Sequence, residues 1–273
     1  MSFSRRKFIK TALFAGFGFA MFDAFWMEKY FIETKHFYIG SASEENHDVN
    51  IVQISDLHLR SLNTQLEKLA TNINALKPDL ILFTGDSVDD KKNLYVLNQF
   101  LALLNTAIKK FAILGNWEYW GKVDIEELRL SYALHNCELL INDTRQFLVN
   151  NKTISITGLD DFVAGNADIE HALMNYQASD YHIILNHCPE YGDTIFEKLN
   201  NKIPYDIMLS GHTHGGQINL FGFVPFKPQG SGNYLKGWYP LKKIYVSKGI
   251  GTSIVPARFM ARSEVTVFKL LKG

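Results

Sequence analysis

Cysteine is nearly absent. Cys137 and Cys188 are the sole thiols in 273 residues, too few for a thiolate metal cage or a disulfide framework. A surplus of charge is missing too. The 28 Lys and Arg residues balance 28 Asp and Glu, and without a basic excess nucleic acid is not expected as the main partner. The chain has no internal repeat and no low-complexity tract, which excludes a repeat array. What is present is 47% apolar residues, enough to core one large domain or two small ones.

A long, clean apolar run is lacking as well. The best candidate, Thr11 to Met27, contains Asp23 and is somewhat short for a bilayer span of about 20 residues. It follows Ser4-Arg5-Arg6-Lys7-Phe8-Ile9-Lys10, a basic segment that resembles the bacterial twin-arginine export signal. No small-x-small cleavage site follows promptly, since Ser41-Ala42-Ser43 comes after an expected strand at His36 to Ile39. Residues 1–27 are therefore expected to be a signal or an uncleaved anchor outside the fold, and residues 28–273 the folded domain. This implies membrane association through the N-terminus and residence at a bacterial inner membrane, periplasm or cell envelope.

From Ile51 onward, β-rich runs alternate with helical patterns. Ile51–Ile54, Leu80–Phe83 and Phe111–Leu114 read as buried strands, each ending in a polar tip and each followed by a helix. The helices are expected at Thr64–Lys77, with a Thr64/Glu67 capping box, at Leu94–Ile108, and at Asp124–His135. Thr153–Gly158 alternates, as a strand with one solvated face does. A short helix near Asp168–Tyr176, a strand at His182–Leu185, a helix near Asp193–Leu199 and a strand at Ile207–Leu209 follow. Gln217–Leu220, Ile244–Val246 and Val265–Phe268 complete the β pattern, and Phe221–Tyr239 is a long Gly, Pro and aromatic loop. The alternation predicts a layered α/β domain with its chemistry at strand C-termini.

The strand tips carry the chemistry. Gly211-His212-Thr213-His214-Gly215-Gly216 puts two imidazoles two residues apart, on one side of an extended segment, between glycines that allow a sharp turn. Asp56 and His58 repeat that spacing after Ile54, and Asp86, Asn116 and His187 each end another strand. Seven nitrogen and oxygen ligands exceed what one ion takes, so two ions are expected, with a shared carboxylate for which Asp86 is the natural bridge. Mixed imidazole and carboxylate suits Mn²⁺, Fe or Zn²⁺ better than Mg²⁺ or Ca²⁺. His36, His47, His135, His171 and His182 have no partner motif, and Cys188 reads as a small buried neighbour of His187.

Asp-x-His, Gly-Asp-x-x-Asp, Gly-Asn-x-Glu, a lone His after a strand and Gly-His-x-His, in this order across residues 49–271, resemble the calcineurin-like metallophosphoesterases. Their bacterial branch with twin-arginine signals is the nearest resemblance, and Lys248-Gly249-Ile250-Gly251-Thr252 and Arg258 resemble that branch's C-terminal segment. The resemblance implies a four-layer αββα sandwich of two mixed sheets. It implies one metal on Asp56, His58, Asp86 and His214, a second on Asp86, Asn116, His187 and His212, and two divalent transition-metal ions, manganese foremost. A hydroxide bridging the metals at Asp86 and Asn116 would attack phosphorus in line. One departure stands out: the histidine that the family usually carries after Gly-Asn is Trp117 here, with Glu118 beside it. Without that acid, a stable leaving group is favoured. The expectation is a phosphodiesterase or pyrophosphatase, with UDP-2,3-diacylglucosamine of lipid A biosynthesis as one candidate substrate, since the hydrolases of that pathway also lack the histidine. Trp117 either stacks on a base or lipid chain or packs into the core; Glu118 and Arg258 are weaker candidates for substrate contact. Lys227, Lys236, Lys242 and Lys243 either meet phosphates or form a solvated face. An exported phosphomonoesterase and a non-catalytic scaffold on the same fold are the alternatives.

Overall fold

A computed structural model describes residues 5–199 and 202–272. Ser4, the first residue of the twin-arginine-type motif, lies outside the described residues.

Two six-stranded mixed sheets form the centre. The first has the order β1 (Glu33–Gly40), β12 (Glu264–Leu271), β2 (Val49–Ile54), β3 (Leu80–Thr84), β4 (Lys109–Ile113) and β5 (Cys137–Leu139). Its strands β2 to β5 run parallel, and the antiparallel pairing of β12 with β2 makes it mixed. The second has the order β10 (Gly237–Tyr239), β11 (Ile244–Val246), β9 (Ile207–Ser210), β8 (Tyr181–Leu185), β7 (Lys152–Gly158) and β6 (Asp143–Val149). Here β7, β8, β9 and β11 are parallel while β6 and β10 are antiparallel edges.

Parallel strands buried on both faces need continuous apolar runs, and Leu80-Ile81-Leu82-Phe83 is fully buried. One face of the first sheet packs on α3 (Thr64–Ala75), α4 (Leu94–Leu103) and α6 (Ile125–Ala133) through Leu69, Ile73, Phe100 and Leu128. Its other face meets the second sheet through Ile51, Leu82, Phe111, Ile183 and Phe268. The second sheet's outer face is covered by α7 (Ile169–Ala172) and α8 (Tyr191–Leu199). The layers are thus αββα, as the resemblance implied.

Local differences have physical causes. The cap of α3 is Asn63, whose side chain accepts from Leu66 N, not Thr64. Helix α4 ends at Leu103 instead of Ile108. Asn116–Trp120 forms a short helix, α5, that the sequence pattern did not announce. The strands β5 and β6 were not expected either: β5 is three residues long, and β6 is a largely exposed edge. Gln217–Leu220 is no strand; it makes isolated bridges of Ile218 with Phe259 and Leu220 with Phe223. The polar face of β7 is not solvated. Thr157 bonds Thr144 and His182, both at 2.8 Å, and Ser155 reaches Gln177 O, so hydroxyls pair with one another beneath the α7 segment.

The N-terminal segment is helical, with α1 at Arg5–Phe22, a π-helical turn at Asp23–Met27 and α2 at Glu28–Tyr30. None of the described helices is long and apolar enough to cross a membrane. The end of this segment docks on the domain. Ala24 is buried and its carbonyl accepts from Arg258 N at 2.9 Å, while Glu28 accepts from Ala261 N through its carboxylate and from Ser263 N through its carbonyl.

Candidate metal centre

Five strands end at one place. The tips after β2, β3, β4, β8 and β9 are laced together beyond the sheet ladders: Asp56 N donates to Gly85 O, His58 N to Asp86 O, and Gly211 N to His187 O. These bonds hold the chain in conformations that side-chain-bearing residues avoid. Asp56, His58, Asp86, His212 and His214 all have left-handed backbones, with φ of 50°, 45°, 53°, 72° and 51°. Each costs on the order of 1 kcal/mol, a cost seen mostly where function requires it. Glycines clear the space. A Cβ on Gly115 would stand 2.3 Å from Asp86 Oδ1, and one on Gly85 would stand 2.4 Å from His187 Nδ1.

All seven expected side chains converge and are buried. Ligand atoms of Asp56, His58, Asp86 and His214 lie within 4.8 Å of one another. His58 Nε2 and His214 Nε2 are 3.1 Å apart, with His58 Nε2 3.7 Å from Asp86 Oδ2 and His214 Nε2 3.7 Å from Asp56 Oδ1. The same Asp86 oxygen also faces the second group: His187 Nε2 is 3.3 Å from Asp86 Oδ2, and His212 Nδ1 is 2.9 Å from Asn116 Oδ1. The His187 and His212 rings meet edge to face at 5.1 Å.

The hydrogen bonds around these rings fit a pair of cations. His187 Nδ1 faces Thr84 O at 2.7 Å, and His212 Nε2 faces Gln229 O at 2.6 Å. A carbonyl only accepts, so each of those nitrogens carries the proton. The opposite nitrogen of each ring is then a bare lone pair unless a second proton makes the ring an imidazolium. It points at another acceptor, Asp86 Oδ2 for His187 and Asn116 Oδ1 for His212, and His187 Nε2 has no hydrogen-bond partner although buried. Lone pair against lone pair is repulsive unless a cation or a proton sits between them. Electrostatics agrees. Burial works against a charge on His187, but the Asp86 and Asp56 carboxylates hold its pKa well above the usual value. His187 and His58 hold the Asp86 carboxyl well below the usual range, against burial. Burial pushes Asp56 up to about 6 and His212 down to about 4, and lowers His58 and His214, which keeps these rings neutral and able to bind a metal.

The three weaker candidates separate. Trp117 lines the cavity above the centre, its ring edge-on to His58 at 5.9 Å and to Trp120 at 5.4 Å. Glu118 does not face the cavity. Its carboxylate is buried and accepts from the backbone amides of Asp86, Ser87, Val88 and Gly115, at 3.1, 2.6, 3.3 and 2.9 Å. Burial, then the Asp86 charge, push it up to about 8 against those four donors. Arg258 is fully buried too; its guanidinium donates to the carbonyls of Gly251, Lys248 and Ala261, and Nη2 stands 3.3 Å from His214 Nδ1. Both hold loops around the ligands and neither is placed to touch a substrate. Cys188 donates to Asp161 at 3.1 Å, and burial raises its thiol pKa well above the usual value, so it remains a thiol.

A cavity of about 620 Å³ opens over Asp86, Asn116, His212 and His214. Its walls are Trp117, Trp120, Ile218, Phe226, Ile254 and Val255. Sequence patterning did not mark Ile254 or Val255, nor the carbonyls of Thr84 and Gln229 that orient two of the rings. Every residue has a carbonyl, so no residue type signals that role.

The calcineurin-like phosphoesterase model matches residues 49–216, which span all five tips. The chain belongs to the calcineurin-like phosphoesterase family. It is a metal-dependent phosphoric ester hydrolase on that ground, and the family's divalent metals match a centre of this composition. Relatives extend over nearly the whole chain. The metallophosphoesterase YkuE of Bacillus subtilis is 35% identical over 98% of this chain and 97% of its own length. A metallophosphoesterase of Aquifex aeolicus is 32% identical over 88% and 90%. The UDP-2,3-diacylglucosamine pyrophosphatase LpxG of Chlamydia muridarum is 30% identical over 82% and 84%.

Proposed function

We propose that this member is a two-metal phosphodiesterase or pyrophosphatase whose substrate has a stable leaving group and a lipid moiety, with UDP-2,3-diacylglucosamine the specific candidate. The observation that carries this reading is the cavity wall. Its titratable side chains are Asp86, His212 and His214, all of them candidate metal ligands. Among the described residues, no further acid lines the wall to protonate a departing oxygen, and no Lys or Arg lines it to clamp a phosphomonoester dianion. A leaving group that is itself a phosphate needs no proton. The apolar wall suits an acyl chain, and a pyrophosphatase of such a substrate, LpxG, is among the relatives.

In this reading one ion is held by Asp56, His58, Asp86 and His214, and the other by Asp86, Asn116, His187 and His212. When bound, a pair of divalent cations supplies positive charge for the phosphoryl oxygens and brings the pKa of water near neutrality. The chain's own residues do the rest. Asp86 and Asn116 flank the position for the attacking water at the cavity floor. Thr84 O and Gln229 O fix the tautomers of His187 and His212. Trp117 and Trp120, set edge to face, give an apolar wall against which the scissile group is positioned. The N-terminal basic segment and the apolar residues of α1 support a reading in which the enzyme works at the membrane of a cell envelope.

The test is parallel assay of the full chain with Mn²⁺ on UDP-2,3-diacylglucosamine, bis-p-nitrophenyl phosphate and p-nitrophenyl phosphate. UMP release and diester cleavage well above monoester cleavage are expected. Preference for the monoester would overturn the reading in favour of an exported phosphomonoesterase.

A further inference from the structure

Between Ile218 and Pro225, both of which line the cavity, the chain makes an unusual hairpin. Leu220 N donates to Phe223 O at 2.8 Å and Phe223 N to Leu220 O at 3.1 Å, so Phe221 and Gly222 form a two-residue tip. Both tip residues have positive φ, 55° and 102°. Tips of this kind suit Asn and Gly, whereas a bulky side chain there is strained. Yet Phe221 occupies the first position with 86% of its surface exposed. Its ring touches Phe259 edge-on and nothing else covers it among the described aromatic contacts.

The apolar surface continues from this tip in two directions. Towards the cavity lie Phe223, Phe226, Ile254 and Val255, all exposed, the last three also lining the cavity wall. Towards the N-terminus, Asn219 N bonds Phe259 O, and Arg258 N bonds Ala24 O, so the root of α1 sits against the same segment. Helix α1 itself exposes Phe8, Leu13, Phe14 and Phe19, and starts with Arg5, Arg6, Lys7 and Lys10. An apolar helix with basic residues at one end, too interrupted to span, has the character of an interfacial anchor drawn to anionic lipid.

We infer that the Leu220–Phe223 hairpin, with Ile254 and Val255, is a second bilayer contact, which seats the cavity mouth on an anionic phospholipid membrane. The lipid part of the substrate then reaches the metal centre along an apolar path, without crossing water. This deepens the lipid-linked reading above and rests on it for the substrate, but the docking itself requires no metal. The occupant is the bilayer because the exposed rings are joined to an apolar helix whose far end carries Arg5, Arg6, Lys7 and Lys10, cationic charge that complements anionic headgroups.

The experiment uses the full chain carrying Phe221→Cys, labelled with a nitrobenzoxadiazole dye. The two native thiols are buried, so the label goes to the new one. Leu148→Cys is the control; Leu148 is exposed and pairs with Thr153 at the start of β7, the end of the sheet opposite the metal centre. On vesicles of phosphatidylglycerol and phosphatidylethanolamine, the label at 221 should brighten and shift blue while that at 148 does not. A Phe221→Asp/Phe223→Asp variant, folded by circular dichroism, should float with such vesicles about tenfold less, as withdrawal of two aromatic rings from an interface implies. A silent label at 221 on protein that floats would leave α1 as the sole anchor and overturn the inference. A label that responds to protein concentration without vesicles would overturn it in favour of a second copy of the chain. Failure of diester hydrolysis with intact vesicle docking would instead strike the proposed function and leave the docking standing.

Discussion

Glu118 shows how a residue can lie two positions from a candidate ligand, Asn116, and serve the site from behind. Its carboxylate gathers four backbone amides from the two loops that carry Asp86 and Asn116. Glu118→Gln replaces one acceptor oxygen with a donor that faces amide hydrogens. The expected cost is about 1 to 3 kcal/mol of stability, measured by urea unfolding, since a buried oxygen that accepts two bonds is lost and its donors are left unpaired. An unchanged unfolding midpoint would refute this role. The sequence marks the acid as a candidate for substrate contact, because spacing alone cannot say which way a side chain turns, and in the short helix α5 Glu118 turns away from the cavity. For the same reason the sequence places Arg258 near the substrate, where burial and three carbonyl partners show a clasp for the loop. The seven ligand candidates were legible. Each follows an apolar strand, three have a glycine immediately before them, and imidazole and carboxylate at strand ends have few other uses.

At the scale of the element, β8 carries a titratable group that the metal centre does not use. His182 is buried, with Nε2 2.8 Å from Thr157 Oγ1 and Nδ1 2.9 Å from Pro204 O. Burial lowers its pKa from 6.5 to about 4. The folded state therefore binds fewer protons than the unfolded state between those values, so stability rises with pH across that window. The contribution is full above about pH 6.5 and is lost as pH falls towards 4. It amounts to about 3 kcal/mol at most, reduced by whatever solvent reaches the ring. Urea midpoints at pH 7 and pH 4.5 should differ less in His182→Gln than in the parent; an equal difference in both would show that other groups set the acid limit. The long parallel strands were legible because both faces are apolar. Strands β5 and β6 were not, because β5 is three residues long and β6, at the edge, keeps exposed polar residues that match no buried pattern. The alternation in β7 was read correctly as alternation, but hydroxyl-to-hydroxyl pairing under α7 buries the polar side.

At the scale of the molecule, the two sheets act as one frame that aims five strand tips at a single point, and the N-terminal segment clips onto the 258–263 segment that leads into β12. The sequence boundary at residue 27 passes through that clip, since Ala24 and Glu28 both bond the 258–263 segment. A chain starting after Phe22 should melt within about 2 °C of the full protein, whereas one starting after Ile32 should melt several degrees lower, the size expected for losing two or three hydrogen bonds. Equal melting of the two would show that the clip contributes nothing. Contacts between distant segments of this kind leave no periodicity to read. The central claim is that seven buried side chains enclose a pair of cations with Asp86 between them. Anomalous X-ray scattering from crystals of the full chain grown with Mn²⁺ tests it most directly. Two peaks are expected, one bounded by Asp56, His58, Asp86 and His214, the other by Asp86, Asn116, His187 and His212; one peak, or none among these residues, would contradict the account.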